Sequence, residues 1–102
     1  MISFTVLYPY GADKKFDWDY YLAHHMEGLK KLLGGRLLHY HLEKGLSGVE
    51  SGTPPAFFAI LHVLVKGMED VEVIGAALPQ LVQDIPNYTD VEPIIQISEA
   101  IE

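Results

Sequence analysis

Ile2, Phe4, Val6 and Tyr8 alternate with Ser3, Thr5 and Leu7, a period of two that predicts a strand with one clearly apolar face. Pro9-Tyr10-Gly11 ends it. After Asp17 the period lengthens. Trp18, Tyr21, Leu22, His25, Leu29, Leu32 and Leu33 recur at helical spacing on one stripe, with Asp17 as a good N-cap and Gly34-Gly35 as a stop. Leu37 to Lys44 reads as a second strand, Leu38/Tyr40/Leu42 on one side and His39/His41/Glu43 on the other. Gly45 to Pro55 is a Gly-, Ser- and Pro-rich loop, long for a hairpin. Ala56 to Val65 predicts a third strand, and Met68 to about Gln83 a second helix, weakened or kinked by Gly75 and Pro79. From Asp84 the chain passes through a turn stiffened by Pro86 and Pro93 into a last strand, Glu92 to Ser98.

The order β-α-β-β-α-β is the split βαβ arrangement of a ferredoxin-like α+β domain, with both helices on one face of a four-stranded antiparallel sheet. One domain, residues 1–102, accounts for the whole chain. The free face of such a sheet should alternate apolar and polar positions. The third strand does not: Phe58/Ile60/Leu64 and Phe57/Ala59/Leu61/Val63/Val65 are both apolar sets. Leaving such side chains in water forgoes ~1.5–3 kcal/mol each, so a cover is expected. The simplest cover is the same face of a second copy, which predicts a two-fold homodimer packed sheet on sheet.

Composition narrows the partners. Seven basic residues against fourteen acidic ones give a formal charge of −7, and the only basic doublets are Lys14-Lys15 and Lys30-Lys31. Phosphate-tracking contact with nucleic acid and docking on anionic membranes both need basic patches, so neither is expected. No apolar stretch approaches the ~20 residues of a membrane span, and the N-terminus lacks the pattern of a signal peptide. With no cysteine there is no disulfide, thiolate metal site or cysteine nucleophile, and a cytoplasmic location fits.

Polar residues that interrupt apolar patterns are the candidates for chemistry. Tyr21 and His25, four apart, lie one turn above the other on the helix stripe that faces the sheet. Imidazole has a reference pKa near 6.5, so a histidine there is either a core residue with a local partner or a group that moves protons. His62 breaks the apolar third strand and Gln96 breaks Ile94-Ile95-Gln96-Ile97; both need partners, and both could converge on Tyr21 and His25. Asn87 and Tyr88, held between two prolines, are either turn residues or pocket residues presented by a stiff loop. His39 and His41 share a strand face, but two imidazoles alone make a poor metal site, and solvent or dimer-interface histidines fit better. No Gly-rich phosphate loop, nucleophile elbow or H-E-x-x-H helix is present.

Two of these segments together carry a family resemblance. Asp19-Tyr20-Tyr21-Leu22-x-x-His25-Met26, with Ile85-Pro86-Asn87-Tyr88-Thr89-Asp90-x-Glu92-Pro93-x-x-Gln96-Ile97-Ser98, resembles the EthD-like family, named for ethyl tert-butyl ether degradation. Leu7-Tyr8-Pro9 and Ala59-Ile60-x-His62 extend the likeness over nearly the whole chain. The resemblance implies the dimeric α+β barrel superfamily, whose members include cofactor-free cyclases, lactone isomerases, monooxygenases and haem-degrading enzymes. Fold alone does not choose among those reactions. Where a proline and a leucine commonly follow the His-Met pair, this chain has Glu27 and Gly28, and Gly28 opens room beside His25.

The expectation is a homodimer with one apolar pocket per subunit for a small aromatic, polyketide-like or lactone-like compound, using no cofactor. His25 would be the acid/base of an enolisation, cyclisation, isomerisation or decarboxylation. Tyr21 and Tyr88 would hydrogen-bond the substrate oxygen, Asn87 and His62 would orient it, and Gln96 and Trp18 would complete the binding surface. Two rivals stand beside it: a non-catalytic binding or accessory protein of a degradation pathway, and a haem-handling monooxygenase-like protein with a histidine as axial ligand.

Overall fold

A computed structural model describes residues 1–102. Strand β1 (Ile2–Pro9) leads into a first helix, followed by β2 (His39–Lys44), β3 (Phe57–Val65), a second helix (Met68–Asp84) and β4 (Ile94–Glu99). All strand pairs are antiparallel, in the order β2-β3-β1-β4, as a ferredoxin-like α+β domain requires. No helix is long and apolar enough to cross a membrane.

The first helix starts where its cap chemistry directs: the Asp17 carboxylate accepts from the Tyr20 amide at 3.1 Å. It then changes winding. Trp18–Tyr20 is α-helical, Tyr21–Met26 is a π-helix, and Glu27–Leu33 is α-helical again. A π-helix bonds each residue to the fifth one on, so Tyr21 and Met26 come into line. The α-periodic stripe is thereby corrected: Met26 is buried and Leu22, expected inward, is 48% exposed. Gly34 ends the helix at φ 51°, a conformation that suits a residue without Cβ.

The second helix begins with Asp70 accepting from the Gly67 amide at 3.1 Å and from Arg36 at 2.8 Å. It runs unbroken through Pro79. The carbonyl that Pro79 cannot bond belongs to Gly75, an exposed residue whose carbonyl water can serve, so the helix survives.

Parity along the strands fixes which side chains face the helices. Phe4, Val6 and Tyr8 of β1 stand opposite Val63, Leu61 and Ala59 of β3, and all six are buried with Leu29, Leu33, Val71 and Ile74. The opposite parity carries Leu7 beside Ile60, Thr5 beside His62 and Ser3 beside Leu64. Registers on either side extend the middle row to His41, His62, Thr5 and Gln96 across all four strands. Phe58 leaves the outward set. The β1–β3 register slips between Tyr8 and Pro9, and Phe58 packs against the core beside Tyr10 and Phe16. The outward face therefore mixes Leu7, Ile60, Leu64 and Ile94 with a polar row, and is less apolar than the sequence pattern suggests. The chain is a flat two-layer body of 41 × 32 × 18 Å.

Candidate functional site

The loop after the second helix is tied to the entrance of the first. The Asp17 amide donates to the Tyr88 carbonyl at 2.7 Å, the Lys15 amide to Asp90 at 3.0 Å, and the Thr89 hydroxyl to the Lys15 carbonyl at 2.5 Å. These bonds set Asp84 and Tyr88 against the π-helical turn that carries His25. The π turn and the proline-bounded loop are thus two halves of one site.

Asp84 is its anchor. Its Oδ2 lies 2.9 Å from His25 Nδ1, and its Oδ1 accepts from the Tyr20 hydroxyl at 2.6 Å and from Asn87 Nδ2 at 3.0 Å. Partial burial raises the carboxyl's pKa, but the three donors, Tyr20 first, outweigh it and hold the group below the usual carboxylate range. An ionised carboxylate only accepts, so His25 donates from Nδ1, and in the neutral ring the lone pair is the one on Nε2. That lone pair faces the Tyr88 hydroxyl at 3.5 Å, the long limit of a hydrogen bond. Tyr88 in turn bonds the Tyr8 hydroxyl at 2.8 Å. The result is a continuous polar line, Tyr8–Tyr88–His25–Asp84, through an otherwise apolar interior.

Burial pushes the phenols of Tyr8, Tyr21 and Tyr88 well above their ordinary pKa. They stay protonated at neutral pH and act as hydrogen-bond donors rather than bases. Nε2 of His25 is the basic atom of the line.

Beside it lies an apolar cavity of about 50 Å³ between the helices and the sheet. Phe4, Val6, Tyr8, Leu61 and Ile95 form its sheet side, and His25 and Leu29 its first-helix wall. Ile74, Leu78, Leu81, Val82 and Ile85 close it from the second helix and its end. Val82 and Ile95 line the cavity yet are about half exposed, which marks the seam between the second helix and β4 as its mouth. A pocket for a drug-sized ligand usually measures ~300–1,000 Å³, so this cavity is small by that measure.

The expected site residues divide. His25 lines the cavity, and Tyr88 touches His25. Asn87 is exposed and holds Asp84. Trp18 packs on Phe16 and Tyr21, with the Lys44 ammonium 5.7 Å from its ring centre, away from the cavity lining. His62 and Gln96 do not converge on His25. Strand parity puts both on the outward face, where His62 Nε2 lies 3.3 Å from Glu43 and Gln96 donates to Ser98 at 3.0 Å. Tyr21 stacks 5.5 Å from His25, but its buried hydroxyl has no hydrogen-bond partner and is not part of the cavity wall. Removing an unsatisfied buried hydroxyl relieves a desolvation penalty of ~1–3 kcal/mol. Tyr21→Phe is therefore expected to melt at or above the parent temperature in a thermal scan; a drop of several degrees would show that the hydroxyl has a partner.

Asp84 and Tyr8 are the members the sequence reading did not assign. Tyr8 had a signal, a hydroxyl closing an inward apolar row. Asp84 had only its place ahead of Ile85-Pro86.

No family model and no curated protein matches the chain. Among solved structures, an EthD-like protein of Ralstonia eutropha JMP134 is 38% identical over 99% of this chain and 92% of its own, with a TM-score of 0.90. An ethyl tert-butyl ether degradation (EthD) family protein of Bacillus halodurans C-125 covers 99% of both chains at 13% identity and a TM-score of 0.67. A protein of Arabidopsis thaliana covers 100% of this chain at 13% identity and a TM-score of 0.66. The last two likenesses speak for the fold alone. With 38% identity spread over 99% of its length, the chain belongs to the EthD-like family.

Proposed function

We propose that the protein binds a small apolar or aromatic carbonyl compound, of the aromatic, polyketide-like or lactone-like kind, and moves a proton on it without a cofactor. One observation carries the reading: the His25 ring, held by ionised Asp84 at 2.9 Å, bounds an apolar cavity with its Nε2 lone pair only loosely engaged. With a carbonyl compound in the cavity, Nε2 takes a proton from the carbon next to the carbonyl. The C–H electron pair becomes the C=C bond of an enolate, and the negative charge moves to oxygen. A phenol that stays protonated, Tyr8 in the cavity wall with Tyr88 behind it, donates to that oxygen. The imidazolium returns the proton to a different carbon of a conjugated enolate, which makes the net change a double-bond isomerisation, or the enolate attacks a second carbonyl and the imidazolium protonates the new alkoxide, which makes it a cyclisation. Tyr8 takes the oxygen-binding role first expected of Tyr21.

Cyclohexanone in D₂O is a suitable probe. Exchange of its α-hydrogens, followed by proton NMR, should run faster with the protein than with an equal concentration of free imidazole. Binding without acceleration would favour the accessory-protein reading. A Soret band in the spectrum of the purified protein would favour the haem-handling reading.

We also propose that two copies pair through the outward face of the sheet, covering Leu7, Ile60, Leu64 and Ile94. Leu61 and Val63 face the helices and take no part. Light scattering at micromolar concentration should give about twice the 11.4 kDa chain mass, and Ile60→Lys or Leu64→Lys should yield monomeric or insoluble protein. A clean parental monomer would contradict this pairing.

A further inference from the structure

Tyr20 and His25 stand five positions apart on the first helix, yet both bond one carboxylate. At 100° per residue an α-helix would set them about 140° apart, on different faces. The π-helical turn Tyr21–Met26 follows Tyr20 and carries His25, and its wider winding brings residues five apart into line. Both side chains therefore reach Asp84 at the end of the second helix. His24, four positions on, packs against the Tyr20 ring instead, 4.6 Å between centres.

Asp84 divides its oxygens between these groups. Tyr20 at 2.6 Å and Asn87 at 3.0 Å share Oδ1, and Oδ2 is left to His25 at 2.9 Å. Burial pushes the carboxyl's pKa up, and among the bonds that outweigh it the one from Tyr20 is the largest. A phenol hydrogen aimed at Oδ1 draws the carboxylate's charge away from Oδ2, and so weakens the field that holds a second proton on His25. Asp84 is the one charged group bonded to the His25 ring. Its other polar neighbours are the Tyr88 hydroxyl from the loop and the Tyr21 ring on its own turn, both phenols that stay protonated.

We infer that Tyr20 is a positioning residue for His25: through Asp84 its hydroxyl restrains the proton affinity of the ring and keeps the Nε2 lone pair available near neutral pH. An imidazolium has no such lone pair, so a carboxylate that attracted the proton too strongly would disable the base. The use made of the lone pair rests on the reading under Proposed function; the effect of Tyr20 on the ring does not.

Long-range ¹H–¹⁵N correlation from pH 5 to pH 9 follows the His25 ring in the parent and in Tyr20→Phe, which keeps the aromatic ring and removes only the hydroxyl. His24, the titratable neighbour of Tyr20, is read by its own signals. In Tyr20→Phe the midpoint of the His25 titration should rise by about half a unit, roughly a threefold gain in proton affinity, with the neutral ring still protonated at Nδ1. On an Asp84→Asn background the same substitution should move it by less than about 0.1 unit, because the route through the carboxylate is gone. An unmoved or lowered midpoint in Tyr20→Phe would overturn the role, and so would a rise that persists without the carboxylate. Cyclohexanone exchange should lose its rate on the acid side at a correspondingly higher pH in Tyr20→Phe. A parent that shows no exchange would sink the reading under Proposed function, and the titration alone would still decide the role of Tyr20.

Discussion

Asp84→Asn is expected to keep the fold and remove about 10²-fold or more of any proton-transfer turnover. The asparagine oxygen still accepts from Tyr20 and Asn87, but its amide now points donor hydrogens at His25 Nδ1, which is itself a donor in the parent. Two donors cannot face each other across 2.9 Å, so the neutral ring shifts its proton to Nε2, and the Tyr88 side of the ring gains an N–H where it had a lone pair. The base becomes an acid in the same position. Loss of a charge-assisted bond should lower stability by about 1–3 kcal/mol, leaving a folded protein in which turnover falls and binding of cyclohexanone persists. Parental exchange of cyclohexanone by this variant would remove Asp84 from the mechanism.

The same substitution has a signature in pH. The folded-state pKa of Asp84 lies below its unfolded value of about 3.9. The contribution is therefore complete above that value and is lost as pH falls through the lower folded pKa. Below about pH 4 the parent's melting temperature should fall more steeply than that of Asp84→Asn. Asp70 and Asp90 are depressed as well, the first by Arg36 and the second by the Lys15 amide, so some acid sensitivity persists in the variant.

His25→Gln is expected to lower turnover by about 10²-fold or more while the melting temperature moves by only a few degrees. A glutamine amide can still donate to Asp84 and fill most of the imidazole volume, but it does not exchange a proton near neutral pH. A purely structural histidine predicts the reverse, a clear loss of stability with ligand handling intact. Thermal scans and cyclohexanone exchange, measured on the same preparation, separate the two.

Periodicity made the architecture legible because each element keeps one period over most of its length and carries its own start or stop signals: Pro9, Asp17, Gly34 and the prolines of the last loop. It misjudged Leu22 and Met26, since a π-helical turn changes the spacing without leaving a mark in composition. It also set His62 and Gln96 toward the helices. Period two puts His62 out of phase with Leu61 and Val63, and only the register with Thr5, which fixes Gln96 as well, shows that the outward phase is the polar row. The His25 half of the site was visible as a polar residue on an apolar stripe. Asp84, 59 positions away, was not, because its role depends on how the second helix ends against the first and no local pattern encodes that distance.

The state of the His25 ring tests the account most directly, since everything proposed for the cavity depends on a lone pair at Nε2. Long-range ¹H–¹⁵N correlation on the ¹⁵N-labelled protein at pH 7.5, with His25 assigned through His25→Gln, reads the two ring nitrogens separately. The account predicts a protonated Nδ1 and an unprotonated Nε2. A proton on Nε2, alone or together with one on Nδ1, would contradict it.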